Sequence, residues 1–133
     1  MTLVVDASVA VLWVLEQKGS ESALTVRNEA QLIAPSLIVA ELGNAIWKAV
    51  RRSEVSREHG LTAIDATLSA FARLAPMADL HLRALELALE LDHPIYDCFY
   101  LALAERERVP LVSADERLLG KRRALKGIEL RKL

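Results

Sequence analysis

The chain has 133 residues, 53% hydrophobic and 26% charged, with 17 basic against 18 acidic side chains and a net charge of −1. That length fits a single domain, 1–133, able to bury about two-thirds of its unfolded surface, and the composition excludes intrinsic disorder, collagen and a highly charged tail. The one cysteine, Cys98, excludes an internal disulfide, and no Cys-x-x-Cys pair or Cys/His cluster offers a zinc site, so the expected compartment is reducing cytoplasm.

In chain order, the β-branched run 2–5 predicts a strand that ends at Asp6, followed by a helix over 9–16 with Ser8 as its cap. A helix over 20–29 and an apolar strand over 32–34 come next, and Pro35-Ser36 closes that strand. Ser36 is expected to cap a long helix reaching about Arg52, with Ile38, Leu42, Ala45, Ile46 and Ala49 on one face and Glu41, Asn44 and Lys48 on another. Ser56 opens a helix expected to run through Ile64 and Leu68 to Leu74, with a brief connection at 75–77 before Asp79 starts the next. Helical spacing continues to Leu91, His93-Pro94 stops it, and 96–106 resumes it with Phe99, Ala102 and Leu103 facing inward. A buried strand over 110–113, a helix over 116–123, a break at Gly127 and a charged edge strand over 128–130 complete the chain. Alternating strands and helices predict an α/β layered domain with a mostly parallel sheet. No membrane span or signal peptide is expected: Asp6 interrupts the apolar start, no basic region precedes it, and no later run approaches about 18 apolar residues.

In open parallel sheets the functional crevice lies beyond the carboxyl ends of the strands. Asp6 and Asp115 directly follow strands, Glu41 sits about two turns into the helix after the second strand, and Asp97 lies in the first turn of its helix. All four carboxylates can reach one edge of the sheet, where they would repel one another unless a cation neutralised them. An all-oxygen set without His or Cys suits Mg²⁺ or Mn²⁺ rather than Zn²⁺. The chemistry this supports is phosphoryl-ester hydrolysis by a metal-activated water. Taken singly, Asp115 also reads as an N-cap, Asp97 as a helix-dipole partner and Glu41 as a solvent-facing helix charge. Asp6, between an apolar strand and an apolar helix, sits where a solvated surface residue rarely would.

Asp6-Ala7-Ser8, Glu41-Leu42-Gly43-Asn44, Tyr96-Asp97 and Leu111-Val112-Ser113-Ala114-Asp115, in that order and over nearly the whole chain, resemble a PIN-domain ribonuclease, and more narrowly a VapC-type toxin of a toxin–antitoxin pair. The stretch 94–119 is the most specific part. The resemblance implies a PIN-like three-layer α/β/α domain, with Asp6, Glu41, Asp97 and Asp115 as metal-binding catalytic acids. It places Ser8, Asn44 and Ser113 around them as groups that orient ligands or water. It also implies RNA as substrate, a homodimer, and inhibition by a cognate antitoxin whose tail lies over the active site. Ser113 stands where the family usually has Thr, which keeps a hydroxyl, and Cys98 stands where a small residue such as Ala is common.

From Arg117 to Leu133 there are seven basic residues (Arg117, Lys121, Arg122, Arg123, Lys126, Arg131, Lys132) and one acid, Glu129, so this stretch carries +6 against −7 for the rest. A basic rim beside an acidic metal pocket would hold flanking phosphates; a solvated edge that resists aggregation reads equally well. Trp13 and Trp47 suit packing better than base stacking, His59, His81 and His93 are isolated in sequence, and Cys98 suits a small packed hydrophobe. Two other classes compete. A phosphoryl-accepting receiver domain, or a haloacid-dehalogenase-type phosphatase, would need a second acid near Asp6 where Ala7 and Ser8 stand. A non-catalytic RNA- or protein-binding module would have no reason to gather four acids near RNA.

Overall fold

A computed structural model describes residues 1–133. Five strands form one sheet in the order β3-β2-β1-β4-β5, and every pairing is parallel. The central strand, β1 (Thr2–Val5), is buried along Leu3, Val4 and Val5, the continuous apolar run that a strand covered on both faces requires. Asp6 ends it and caps α1 (Ala7–Ala10) by accepting from Val9 N, so the cap is Asp6 rather than Ser8. The expected helix over 9–16 is also shorter, tightening after Ala10 into a 3-10 turn over Val11–Trp13.

Helix α2 (Ser20–Glu29) begins after Gly19, whose φ of +97° suits a residue without Cβ, and leads into β2 (Gln31–Pro35). Helix α3 (Ile38–Arg51) buries Ile38, Leu42, Ile46 and Ala49. Ser36 does not cap it with its side chain; its backbone N–H donates instead to the carbonyl of Ala75. Ser56 caps α4 (Arg57–Leu68) through His59 N, as its position predicted. Where α4 crosses α3, a Cβ on Gly60 would stand 3.0 Å from Ile46 Cγ2, so the glycine sets how closely the two helices approach.

The largest departure follows α4. The helix ends at Leu68 and the chain forms β3 (Phe71–Ala75), an edge strand paired with β2, where continued helix was expected. Phe71, Leu74 and Ala75 are spaced like a helix face, but with only Phe71 and Ala75 buried the same spacing serves a strand, and pairing with β2 outweighs local preference. Asp79 lies in a 3-10 turn before α5 (His81–Leu91) rather than starting that helix.

Helix α6 (Ile95–Glu107) is buried at Cys98 and at every position from Tyr100 to Ala104, packing on β1, β2 and β4 with α5 beside it; Phe99 is only partly covered. Strand β4 (Leu111–Ser113) ends before α7 (Glu116–Leu119), the helix expected over 116–123 giving way at Gly120 and re-forming only as a 3-10 turn over Arg122–Ala124. Gly127 turns the chain at φ +74°, and the last strand, β5 (Leu130–Lys132), lies at the edge but two residues later than expected.

The connections β1→β2→β3 run one way across the sheet and β3→β4→β5 the other. With right-handed crossovers this puts their helices on opposite faces, giving α/β/α layers. The reversal falls between β1 and β4, which opens a crevice at their carboxyl ends. The receiver-domain order, 2-1-3-4-5, is not the one found, which removes that alternative. No helix is long and apolar enough to cross a membrane.

Candidate active site

Asp6 and Asp115 flank this crevice because each is among the first residues after a strand adjoining it. Asp6 is only 3% exposed. Its Oδ1 accepts from Ser8 Oγ at 2.5 Å and from Val9 N at 3.3 Å. Ser8 Oγ in turn accepts from Ala114 N at 2.9 Å and lies 3.3 Å from Ser113 Oγ, which accepts from Asp115 N at 3.0 Å. The two serines therefore tie the β1–α1 turn to the β4–α7 turn, with Ser8 on Asp6 and Ser113 on the backbone of Asp115. Asp115 Oδ1 accepts from Arg117 N at 2.9 Å, so it caps α7 from the rim of the crevice.

Glu41 and Asp97 come from α3 and α6. The Tyr100 hydroxyl donates to Glu41 Oε1 at 2.7 Å, and His93 Nε2 donates to Asp97 Oδ2 at 2.6 Å. Neither donor was assigned from sequence: His93 precedes α6, four residues before Asp97, and Tyr100 meets a carboxylate 59 residues away, a contact that only the fold creates. Asn44 is not brought in. It is exposed one turn beyond Glu41 and makes no hydrogen bond to any of these groups, because each turn of α3 carries its residues further from the sheet edge.

The electrostatics couple three of the acids. Burial pushes the Asp6 carboxyl up to about 6, with the charge of Asp97 adding to the rise and the hydroxyls of Ser113 and Ser8 and the N–H of Val9 opposing it. Glu41 is raised by burial and by Asp97, against the pull of the Tyr100 hydroxyl. The Tyr100 phenol is held well above its ordinary value, chiefly by burial and then by Glu41, Asp6 and Asp97, so it remains a donor. No lysine or arginine forms an ion pair with Asp6, Glu41, Asp97 or Asp115. Cys98, pushed up to about 11 chiefly by burial, stays a neutral thiol and a poor nucleophile.

No three His, Cys, Asp or Glu side chains converge tightly enough to enclose an ion as they stand. The donor set nevertheless suits a hard cation: the ionisable ligands are carboxylates, Asp6 among them is deeply buried, and no lysine or arginine pairs with any of them.

A model of the PIN domain matches residues 3–123 of this chain. The chain belongs to the PIN-domain family. Within that family its relatives are VapC ribonucleases. Ribonuclease VapC1 of Mycobacterium tuberculosis is 38% identical over 120 residues, covering 86% of each protein. Ribonuclease VapC3 of Pyrobaculum aerophilum is 31% identical over 128 residues, covering 94% of this chain and 98% of the relative. The fold of this PIN domain is also that of a chain in VapBC2 from Rickettsia felis bound to a DNA fragment from their promoter, with a TM-score of 0.71 at 16% identity, covering 100% of this chain and 99% of that one.

Proposed function

We propose that this PIN domain is an endoribonuclease that hydrolyses RNA phosphodiester bonds with Mg²⁺ or Mn²⁺, acting in the cytoplasm as the toxin of a toxin–antitoxin pair. The observation that carries this reading is the group of coupled, uncompensated carboxylates Asp6, Glu41 and Asp97 at the β1/β4 crevice, with Asp115 on its rim. Its VapC ribonuclease relatives support the same activity.

Asp6, Glu41, Asp97 and Asp115 would hold the cation, which when bound lowers the pKa of a water for in-line attack and offsets charge on the leaving oxygen. Asp6 needs no reorientation, since Ser8 and Val9 already fix its carboxylate. Arg117, Lys121, Arg122, Arg123 and Lys126 form no ion pair within the chain and are available to flanking phosphates. Arg131 and Lys132 are not, being paired with Glu129 and Glu116. Incubation of the purified chain with an end-labelled RNA pool tests the reaction: discrete cuts with Mg²⁺ or Mn²⁺ that EDTA abolishes support it, and cutting undiminished by EDTA rules out the metal.

The non-catalytic binding module is the second reading, favoured by the absence of three converging ligands. It predicts RNA retention without cleavage under the same conditions.

Two partners belong to the proposal. The groove between α3 and α4, lined by Ile46, Trp47, Val50, Leu61 and Ile64, leaves Trp47 55% and Leu61 56% exposed, which suits the apolar face of an antitoxin helix. The product of an adjacent antitoxin gene should stop cleavage by the parent and not by Trp47→Glu; equal inhibition of both contradicts this docking. The second partner is another copy of the chain, against the exposed leucines of α5.

A further inference from the structure

The donors to Glu41 and Asp97 are arranged alike. Tyr100, 1% exposed, spends its hydroxyl on Glu41 Oε1, and His93, 7% exposed, spends Nε2 on Asp97 Oδ2. In each carboxylate one oxygen is taken by a charge-assisted bond from a buried ring, while the other, Glu41 Oε2 or Asp97 Oδ1, makes no hydrogen bond within the chain. Rings packed into the core cannot follow a carboxylate that rotates, so each bond holds one oxygen and leaves the other as the free one.

We propose that Tyr100 and His93 are positioning residues that restrict Glu41 and Asp97 to one oxygen each toward a bound cation, so that the site prefers Mg²⁺ or Mn²⁺ over Ca²⁺. This rests on the metal-dependent reading above. The chemistry follows from ion size: Mg²⁺ demands near-octahedral single-oxygen contacts at about 2.0–2.1 Å, whereas Ca²⁺ accepts six to eight oxygens and readily takes both from one carboxylate. Releasing Oε1 of Glu41 or Oδ2 of Asp97 would make two-oxygen contacts accessible and favour the larger ion.

The test is direct titration of the full chain with Mn²⁺ and with Ca²⁺, by calorimetry and by electron paramagnetic resonance of unbound Mn²⁺. The parent is compared with Tyr100→Phe, His93→Ala and His93→Gln. Tyr100→Phe and His93→Ala should lower the Mn²⁺-over-Ca²⁺ preference by at least about 5-fold, within the range of about 10–100-fold that residues behind metal ligands commonly control. His93→Gln, which retains an N–H donor, should recover part of it. Circular dichroism identifies a variant that has not folded, in which case the other position carries the test. A parent that binds Mn²⁺ with a preference unchanged in the folded variants overturns this inference alone. A folded parent that binds no Mn²⁺ overturns the metal reading itself. A purely structural role for the two bonds would alter melting temperature and leave the ratio of affinities untouched.

Discussion

Asp6 serves two ends that conflict in the metal-free protein. As cap of α1 it supplies an acceptor, and as a buried carboxylate near Asp97 it destabilises the fold whenever it is ionised. Its carboxyl is held at about 6 against an ordinary 3.8, so the folded chain binds this proton more tightly than the unfolded chain. The stability lost to Asp6 therefore develops as pH rises from about 4 to about 6 and is constant above. Asp6→Asn keeps the acceptor and removes the charge. Its metal-free form should be more stable than the parent by roughly 1–3 kcal/mol at pH 7, an upper range set by about 1.4 kcal/mol per pKa unit, and the gap should close by pH 4. Thermal melts across that range check it; a gap independent of pH would show that Asp6 is not the group being titrated. At this scale Asp6 and Asp115 stood out because they follow strand ends, where period and position coincide, whereas Ser8 and Ser113 came as site residues only from the family resemblance. Asn44 looked equivalent to Glu41 by helical spacing, but three residues along an α-helix also add about 4.5 Å of rise, enough to leave the crevice. Tyr100 was hidden because an aromatic inside an apolar run reads first as core, and His93 because a histidine isolated in sequence reads first as a surface or capping residue.

Among the elements, the two edges of the sheet show why local pattern runs out. β5 was recognisable as a charged edge, whereas β3 carries Phe71, Leu74 and Ala75 at a spacing common to helix and strand, and only its pairing with β2 decides. Helix α6 posed the opposite difficulty: it was expected from spacing that put Phe99, Ala102 and Leu103 on one inward face, but it is covered on nearly all sides, so no single face marks what it packs against. α5 is the informative case for assembly. One face buries Ala84, Leu87 and Leu91, while Leu82, Leu85 and Leu89 stand 70%, 49% and 75% exposed at successive turns. A stripe of this kind is self-complementary when two copies pack antiparallel about Leu85, the arrangement a two-fold dimer requires. The parent should sediment as a dimer at micromolar concentration and Leu85→Glu as a monomer, since the substitution sets two buried carboxylates face to face. A monomeric parent, or a variant that stays dimeric, contradicts the use of this face.

For the whole molecule, the strand order is what converts scattered acids into a site. Asp6 and Asp115 come to the same end of the sheet because β1 and β4 are neighbours whose connections diverge, and Asp6 and Glu41 each feel the charge of Asp97, a relation that the alternating pattern suggested in outline without specifying which strands adjoin. The stretch 117–133 carries +6 against −7 for the rest, and Lys121, Arg122 and Arg123 within it form no ion pair. Replacing Lys121, Arg122 and Arg123 together by Ala should weaken RNA binding for all sequences alike. The slope of log affinity against log salt should become about 2 units shallower, each lost phosphate contact contributing about 0.7 on a single strand. An unchanged slope would assign these cations to solubility alone. The most direct test of the account compares parent and Asp6→Asn on end-labelled RNA with Mn²⁺. Discrete cuts by the parent, reduced at least about 100-fold in a variant that melts no lower, are the predicted result, since even residues behind a metal ligand commonly cost 10–100-fold. Equal cleavage by both proteins would contradict the site.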